Sequence, residues 1–512
     1  RAQSLSQVRM LISNSPPGVV TAQSRGRSTA VVFVTGSNTA SHAPLGATQR
    51  SATWVMSAPQ KSAASAESAV LCKCHPKAAK NPPSCGAFEV VITTCEKPVS
   101  LNGVPFISDR VASYRQPEGR RAIVNTTADV SAIVLTAVVG YQCLLLVVGL
   151  WASRRTRSSS DFFLGARKVG PWVTGISYSA SASSAWTLLG VSGAAFAMGP
   201  SVIWVALGSL SGMVVAWWWI APRLLEASHQ RQLTTFIDYL SEPNDHPRSN
   251  ALVRSAAVVI LIAFVFYVAA QFQGAGLAVT EVFAVSDTLA IVVGALVILI
   301  YTWLGGYWAV SLTDTLQGVV MCLAAITLPL GTVISMGGFT SVIELIELGN
   351  QRNGVTHAAT LSAIGFAIGS LAISLGTFGQ PHLMVRFMAL KDHRARRTAA
   401  RITLIWYLVV FSGMVLTGLV GRGIFDSLNN NEQVFFALSE QVLPPVLAGL
   451  LLAAVLSAIM STADSQLLVC ASTLSHDLTD EALKGSARVL RRGRWAVFIV
   501  VLLAVLVALS LP

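Results

Sequence analysis

The chain has 512 residues, of which 53% are hydrophobic and only 12% are charged. A soluble globular protein has about 25% charged residues, so this composition excludes an ordinary soluble enzyme and indicates a membrane protein. The formal net charge of +12 does not indicate a nucleic-acid partner, because the basic residues lie in short loops between apolar runs, where they act as topology signals.

Residues 1–128 form a tail that differs from the rest of the chain. The tail is rich in Ser, Ala, Thr and Pro and shows no sustained hydrophobic period, so we predict that it is disordered. It has no basic start followed by an apolar core and a cleavage site, and therefore no clear signal peptide. From residue 129 to residue 512 we predict one transmembrane transporter domain.

Ten apolar segments follow the tail, and we predict that they are helices. A helix of about 20 residues crosses a hydrocarbon core of about 30 Å, and its backbone satisfies itself in lipid. The segments lie near 130–151, 171–198, 201–222, 252–280, 286–304, 313–336, 359–389, 402–421, 433–474 and 495–511. The ninth is too long for one span, so we expect it to begin with an amphipathic stretch near 429–440.

Basic residues predict the orientation of these helices. They crowd the loops after the first, third, seventh and ninth segments, whereas the opposite loops hold Arg352 and Arg422. Loops rich in Lys and Arg stay in the cytoplasm. We therefore place these four basic loops in the cytoplasm and residue 129 outside.

The second segment has polar and small residues at mid-membrane. Four of the six residues 179–184 carry hydroxyls, and Gly190 and Gly193 follow. Small residues also allow close packing, so an uninterrupted helix remains an alternative. We predict instead an unwound turn whose carbonyls face a cavity, as in the broken helices of transporters.

The seventh segment contains residues that end helices. Gly376, Gly379 and Pro381 fall within six residues, and a proline removes a backbone N–H and disfavours the helix before it. A simple kink is the alternative. Two interrupted helices five segments apart indicate a transporter of inverted repeats with a site at mid-membrane.

The ninth segment has a polar face. Four of its residues share one side of a helix, because they stand three or four positions apart: Ala458, Ser461, Thr462 and Ser465. The hydroxyls can bond back to the preceding turn, which is one interpretation. The other is a site for a small hard cation, which prefers oxygen ligands, completed by carbonyls of the broken second segment.

Two aspartates lie within or at the ends of apolar segments. A charged residue is costly there, so a functional or paired role is the first hypothesis for Asp314 and Asp464. We predict that Asp464 lines the inner exit of an ion pathway. Asp314 either belongs to the same pathway or is a helix-start charge near the membrane surface.

Four stretches resemble the sodium/solute symporter family, and within it the sodium/proline symporters. In family order they are DFFLGARKVGPWVTGIS (161–177), YTWLGGYWAVSLTDTLQG (301–318), FGQPHLMVRFMA (378–389) and LSAIMSTADSQLLVCAS (456–472). The resemblance implies an all-α, LeuT-like core of five plus five inverted-repeat helices with one extra N-terminal helix. It also implies that the last core helix is missing from this chain.

The resemblance implies site residues as well. The implied sodium ligands are Ala180, Ser183 and Ala458 through their carbonyls and Ser461 and Thr462 through their hydroxyls. The implied solute-binding positions are Ser184, Trp186, Tyr267, Ile373 and Thr377. Sodium/proline symporters carry an acidic residue in place of Ala182 and aromatic residues in place of Ile373 and Thr377, so the solute stays open.

We therefore expect a sodium-coupled symporter of a small organic solute, such as proline or another amino acid, that works by alternating access in the plasma membrane. Its partners would be sodium, the solute and the lipid bilayer, with no nucleic acid, no cofactor and no covalent reaction. Two alternatives are a transporter-like sensor domain of a longer receptor kinase and coupling to protons in place of sodium. The sequence does not indicate an oligomeric state.

Overall fold

The structure is a computed structural model with two units, Arg1–Val104 and Pro105–Pro512. It describes residues 19–23, 29–33, 127–156, 158–241, 249–280, 283, 285–353, 368–372, 375–478 and 487–510. In the first unit, strand β1 (Val19–Gln23) pairs antiparallel with strand β2 (Thr29–Phe33). We predict a disordered tail at residues 1–128. Apart from the two strands, this tail lies outside the described residues up to residue 126.

The described part of the second unit is built of helices. They are α1 (Thr127–Ser153), α2 (Ser159–Leu164), α3 (Pro171–Ser181), α4 (Val191–Met198), α5 (Ile203–Val215), α6 (Ala221–Gln230), α7 (Phe236–Ser241), α8 (Asn250–Thr280), α9 (Asp287–Ser335), α10 (Phe339–Asn353), α11 (Ile368–Thr377), α12 (Pro381–Met388), α13 (His393–Ile424), α14 (Val434–Val442), α15 (Pro445–Ser472) and α16 (Ala487–Ser510). Short 3₁₀ or π-helical turns lie at Gly165–Arg167, Trp186–Gly190, Gly199–Val202, Ala216–Ile220, Asn431–Gln433 and Thr473–Asp477.

Seven helical stretches among the described residues are long and apolar enough to cross a membrane. Two of them, Trp186–Gln230 and Asp287–Ser335, contain 45 and 49 residues. Each is long enough for two crossings, since about 20 residues suffice for one. These two stretches contain the predicted segments at 201–222, 286–304 and 313–336 together with the second half of the segment at 171–198. The predicted segment at 359–389 lies partly outside the described residues.

A glycine divides α9 into the two predicted segments. Gly306 has φ 53° and ψ −142° inside an otherwise helical stretch, a conformation that other residues rarely adopt. A Cβ atom at Gly306 would also lie 2.5 Å from the ring of Phe162. The chain therefore needs glycine here both for the bend and for the close approach of α2.

Both predicted interruptions are confirmed. Helix α3 ends at Ser181, residues 182–184 leave the helix, and a π-helical turn begins at Trp186. Residues 378–380 separate α11 from α12, whose first residue is Pro381. A proline is well tolerated at that position because the first N–H of a helix has no partner inside it.

Helix α15 lies at the centre of the second unit. Every residue from 451 to 472 is buried, and the helix packs mainly against α9, α8, α1 and α16, and also contacts α3. The predicted ninth segment divides into α14 and α15 at Leu443 and Pro444. In contrast, outer helices expose large apolar side chains such as Val259 and Leu502, as a lipid-facing surface requires. The polar face of α15 is therefore held in the interior.

Candidate functional site

The hydroxyls of α15 contact the last carbonyls of α3. Ser461 Oγ donates to the Ala180 carbonyl at 3.0 Å, and Thr462 Oγ1 donates to the Ser181 carbonyl at 3.3 Å. Both hydroxyls also lie within bonding distance of the Ala458 carbonyl, at 3.3 and 3.0 Å. The hydroxyls therefore bond back to the preceding turn, and three carbonyl and two hydroxyl oxygens converge.

The interruption of α3 explains why these carbonyls are available. The last carbonyls of a helix have no partner in a following turn. The Ala180 carbonyl accepts one bond from the Ser183 N–H at 3.1 Å and one from Ser461. The Ser183 hydroxyl points instead to the hydroxyl of Tyr407, at 3.4 Å. Ser181, which the sequence did not single out, supplies the carbonyl that meets Thr462.

A cavity of about 220 Å³ lies beside the interruption. Four of the predicted solute-binding residues line it: Ser184, Trp186, Tyr267 and Thr377. The fifth, Ile373, lies outside the described residues. Further lining residues that the sequence did not single out are Ser209, Gln380, Tyr407 and Phe411. Ser209, Tyr407 and Phe411 have no local signal, since nothing in their own segment marks them as facing a cavity.

Among the described residues, the lining of the cavity carries no acidic or basic side chain. Its polar groups are hydroxyls and the amide of Gln380, and aromatic rings cover much of the rest. A ligand with a net charge would lose its hydration without a counter-charge, which is costly. The cavity therefore suits a small solute without net charge.

A glycine positions the indole of Trp186 at the cavity. A Cβ atom at Gly190 would lie 2.3 Å from Cδ1 of Trp186, so the ring packs directly against the backbone of the next turn. The side chain of Trp186 remains 42% exposed and that of Tyr267 41% exposed. Both rings therefore have surface left for contact with a ligand.

A buried ion pair lies on the other side of the interruption. Arg386 of α12 contacts Asp314 of α9, with Nη2 and Oδ2 separated by 2.5 Å, and both side chains are almost fully buried. The hydroxyls of Ser177 and Ser181 donate to the same carboxylate oxygen at 3.0 and 2.9 Å. The ion pair thus holds the last two turns of α3.

Asp464 joins this ion pair through Ser465. Its carboxylate accepts bonds from the Tyr301 hydroxyl at 2.7 Å and from the Ser465 hydroxyl at 3.1 Å. The Ser465 oxygen in turn accepts a bond from Arg386 Nη2 at 2.7 Å. We call this network the arginine cluster: Ser177, Ser181, Tyr301, Asp314, Arg386, Asp464 and Ser465.

The cluster corrects two points of the sequence-based interpretation. Asp314 is fully buried inside α9, so the alternative of a helix-start charge near the membrane surface is wrong. Arg386 was not singled out, although it stands in an apolar segment at FGQPHLMVRFMA. An arginine inside a membrane segment is itself a signal of function, and it could have been found that way.

The path from the cluster toward the basic loops is narrow. A second cavity of only about 10 Å³ lies there, and it is lined by Arg386, Ser465, His382, Phe163 and Thr234 among others. That volume is close to the minimum for one water molecule. The arginine cluster therefore borders a space for about one water molecule.

Two interrupted helices around a buried polar face define a membrane transporter, and comparison with known proteins agrees. The family model described as Sodium:solute symporter family matches residues 162–512. The sodium/proline symporters of Salmonella typhimurium and Escherichia coli are each 34% identical over 381 residues, which cover 71% and 72% of this chain and 74% of each relative. An osmoregulated proline transporter of Bacillus subtilis is 33% identical over 380 residues, covering 72% of this chain and 76% of that protein.

A solved structure is similar in fold. It is a Na⁺-coupled sialic acid symporter in a substrate-bound, outward-open state, with a TM-score of 0.63 and 19% sequence identity. The likeness covers 74% of this chain and 82% of that one.

The chain belongs to the sodium:solute symporter family. It is an integral membrane protein, and the predicted all-helical, LeuT-like fold is confirmed. Its relatives are transporters, which confirms that the chain is not an enzyme. Sodium is the coupling ion of the family, as the sequence indicated.

Proposed function

We propose that this protein couples the inward movement of sodium to that of a small organic solute without net charge, by alternating access. One observation carries the proposal: the unwound end of α3 serves two sites. The carbonyls of Ala180 and Ser181 face the hydroxyls of α15, while Ala182 and Ser184 line the cavity. An ion and a solute bound here would share one short stretch of backbone.

Sodium would bind where the five oxygens converge. A hard cation takes carbonyl and hydroxyl oxygens as ligands, and these are the groups that Ala180, Ala458, Ser461 and Thr462 bring together. The Ser181 carbonyl is the fifth oxygen, and the Ser183 carbonyl, which the resemblance implies as a ligand, follows two residues later in the same turn. Sodium binding would replace weak hydroxyl-to-carbonyl bonds by ion contacts and order the unwound turn.

The solute would bind in the cavity beside Trp186 and Tyr267. The relatives named above transport proline, and proline is therefore the first candidate. The resemblance to sodium/proline symporters implies an aromatic residue at position 377, where Thr377 offers a hydroxyl and more space instead. Another small zwitterionic amino acid is consequently the second candidate, and a panel of solutes decides between them.

We place the basic loops in the cytoplasm of a cell whose plasma membrane holds the protein. Arg352 and Arg422, the basic residues of the opposite side, are both engaged: Arg352 pairs with Asp426, and Arg422 binds the Phe196 and Ala197 carbonyls. In this orientation a negative interior drives sodium inward, with about 2.3 kcal/mol per charge per 100 mV.

Uptake into proteoliposomes tests the proposal. Purified protein is reconstituted, and uptake of radiolabelled proline and a panel of neutral amino acids is measured with an inward sodium gradient. We expect uptake of at least one solute, and we expect it to fall to background when choline replaces sodium. Uptake that survives this replacement but follows an inward proton gradient would contradict the proposal in favour of proton coupling.

The paired hydroxyls are tested in the same assay. Ser461→Ala with Thr462→Ala should weaken sodium affinity by about tenfold for each lost ligand, since a factor of ten corresponds to about 1.4 kcal/mol. Ser472→Ala is the matched control, because its buried hydroxyl lies on the same helix and bonds back to Val469. We expect the control to keep wild-type sodium affinity, and an unchanged double variant would refute the assignment of the ligands.

A further inference from the structure

The guanidinium group of Arg386 connects four helices. Its donors reach Ser177 and Ser181 of α3, Asp314 of α9, Ser465 of α15 and the carbonyl of His382 in α12. The donor–acceptor distances of these hydrogen bonds are 3.1 Å to Ser177, 2.5 Å to Ser181, 2.5 Å to Asp314, 2.7 Å to Ser465 and 2.6 Å to His382. The planar fork of a guanidinium can satisfy such a set, and an ammonium group cannot.

Two of these contacts lie directly beside the proposed sodium ligands. Ser181 binds Arg386 through its hydroxyl, while its carbonyl accepts the bond from Thr462. Ser465 stands one helical turn after Ser461, on the same side of α15. The guanidinium is therefore bonded to both walls of the sodium site, the end of α3 and the polar face of α15, while the ligand residues of these walls also contact each other directly.

Helix α12, which carries Arg386, also reaches the solute cavity. Helix α12 has eight residues, and Arg386 lies one turn after Leu383, which lines the cavity. Gln380, the residue before α12, lines it as well. A helix of two turns moves as one body, so a shift of the guanidinium is transmitted to Gln380 and Leu383.

We propose that Arg386 is the positioning residue that couples sodium binding to solute affinity. This inference rests on the proposed function. Sodium bound between α3 and α15 draws the Ser181 carbonyl toward the ion and fixes the spacing of Ser181 and Ser465. The guanidinium follows both hydroxyls, because it is bonded to each, and α12 brings Gln380 and Leu383 into the arrangement that binds solute.

Coupling of this kind is measured as a ratio of affinities. Sodium changes the solute dissociation constant by a factor that is typically about 5 to 150, and linkage requires solute to change sodium affinity by the same factor. The probes are ²²Na⁺ and radiolabelled proline, or the best solute from the uptake panel, bound to the purified full chain. Each affinity is measured with and without the other ligand.

The decisive variant is Arg386→Lys, which keeps the positive charge and loses the fork. We expect its coupling factor to fall below about twofold, whereas sodium affinity without solute and solute affinity without sodium stay within about threefold of wild type. Arg422→Lys is the matched control. Arg422 is also buried and also binds carbonyls of another helix, but it lies away from the sodium site, so its variant should keep the wild-type factor.

The outcomes separate the inference from the function on which it rests. A wild-type chain that binds no sodium would contradict the proposed function. With a wild type that is coupled, the inference is overturned if R386K keeps the full factor, if R386K loses sodium binding itself, or if R422K loses the factor equally. Should R386K not fold, R386Q combined with D314N removes both charges, and the same loss of coupling is expected.

Discussion

Two polar regions meet at the interruption of α3, and they are built in opposite ways. The arginine cluster contains three charged side chains, and all three are buried. The described lining of the solute cavity contains none, and consists largely of hydroxyls, an amide and aromatic rings. Coulomb interactions are strong in a dry interior, whereas single hydrogen bonds contribute little net free energy. Changes in the cluster should therefore have larger effects than changes in the cavity.

The largest effect is expected for Asp314→Asn. This substitution leaves the Arg386 guanidinium buried without its carboxylate, and breaking a buried ion pair costs about 3–5 kcal/mol. We expect a strongly lowered midpoint of thermal unfolding in detergent and no detectable sodium-driven uptake. Both are measured on the purified full chain and in proteoliposomes.

Asp426→Asn is the control for that experiment. Asp426 pairs with Arg352 at 2.5 Å, but the two side chains are 62% and 28% exposed, so solvent screens the pair. An exposed pair contributes about 0–1 kcal/mol, and the unfolding midpoint should change little. An equal decrease of the unfolding midpoint in the two variants would show that burial does not determine how much an ion pair stabilises this protein.

The second effect is expected for Asp464→Asn. The amide keeps the size of the side chain and can still accept the bond from Tyr301, while Arg386 retains Asp314. The variant therefore loses a negative charge close to the proposed sodium ligands without leaving a buried cation unpaired. Sodium affinity should fall by about one to two orders of magnitude, as expected for charges several ångströms apart at an effective dielectric constant near 20.

Sodium binding to this variant is measured by ²²Na⁺ and compared with its thermal stability. We expect the stability to stay closer to wild type than that of Asp314→Asn. A variant with wild-type sodium affinity would remove Asp464 from the ion pathway and leave Asp314 and Arg386 as the functional part of the cluster.

The same contrast explains which features the sequence could predict. The two interruptions depend on local chemistry, such as Pro381 and the run of hydroxyls before Trp186, and these signals are visible in a short window. The polar face of α15 follows from helical spacing alone. Arg386 contacts Asp314 and Ser177 across 72 and 209 positions of the chain, so only the packed fold brings them together.

The cavity shows the same limit. The family resemblance pointed to four of its lining residues: Ser184, Trp186, Tyr267 and Thr377. Gln380 has a signal of its own, since it precedes the proline that begins α12. Gln380 lies within the motif FGQPHLMVRFMA, but the sequence assigns it no role, because polar residues are also common next to helix breaks in ordinary loops.

The smallest effect is expected for Gln380→Ala in the cavity. The loss of one uncharged hydrogen-bonding group costs about 0.5–1.5 kcal/mol, which corresponds to a solute KM raised about two- to tenfold. Sodium affinity and the unfolding midpoint should remain at wild-type values, because the hydrogen bonds of Arg386 in the described part of the chain do not include Gln380.

Gln230→Ala is the control, since that amide lies on the exposed end of α6 and bonds Glu226. Uptake at several solute concentrations, with sodium held saturating, gives the KM of each variant. A larger loss of stability in Gln380→Ala than in Asp464→Asn would reverse the ranking of the two regions. A raised KM with unchanged sodium affinity, as expected, would show that Gln380 contacts the solute and is not part of the sodium site.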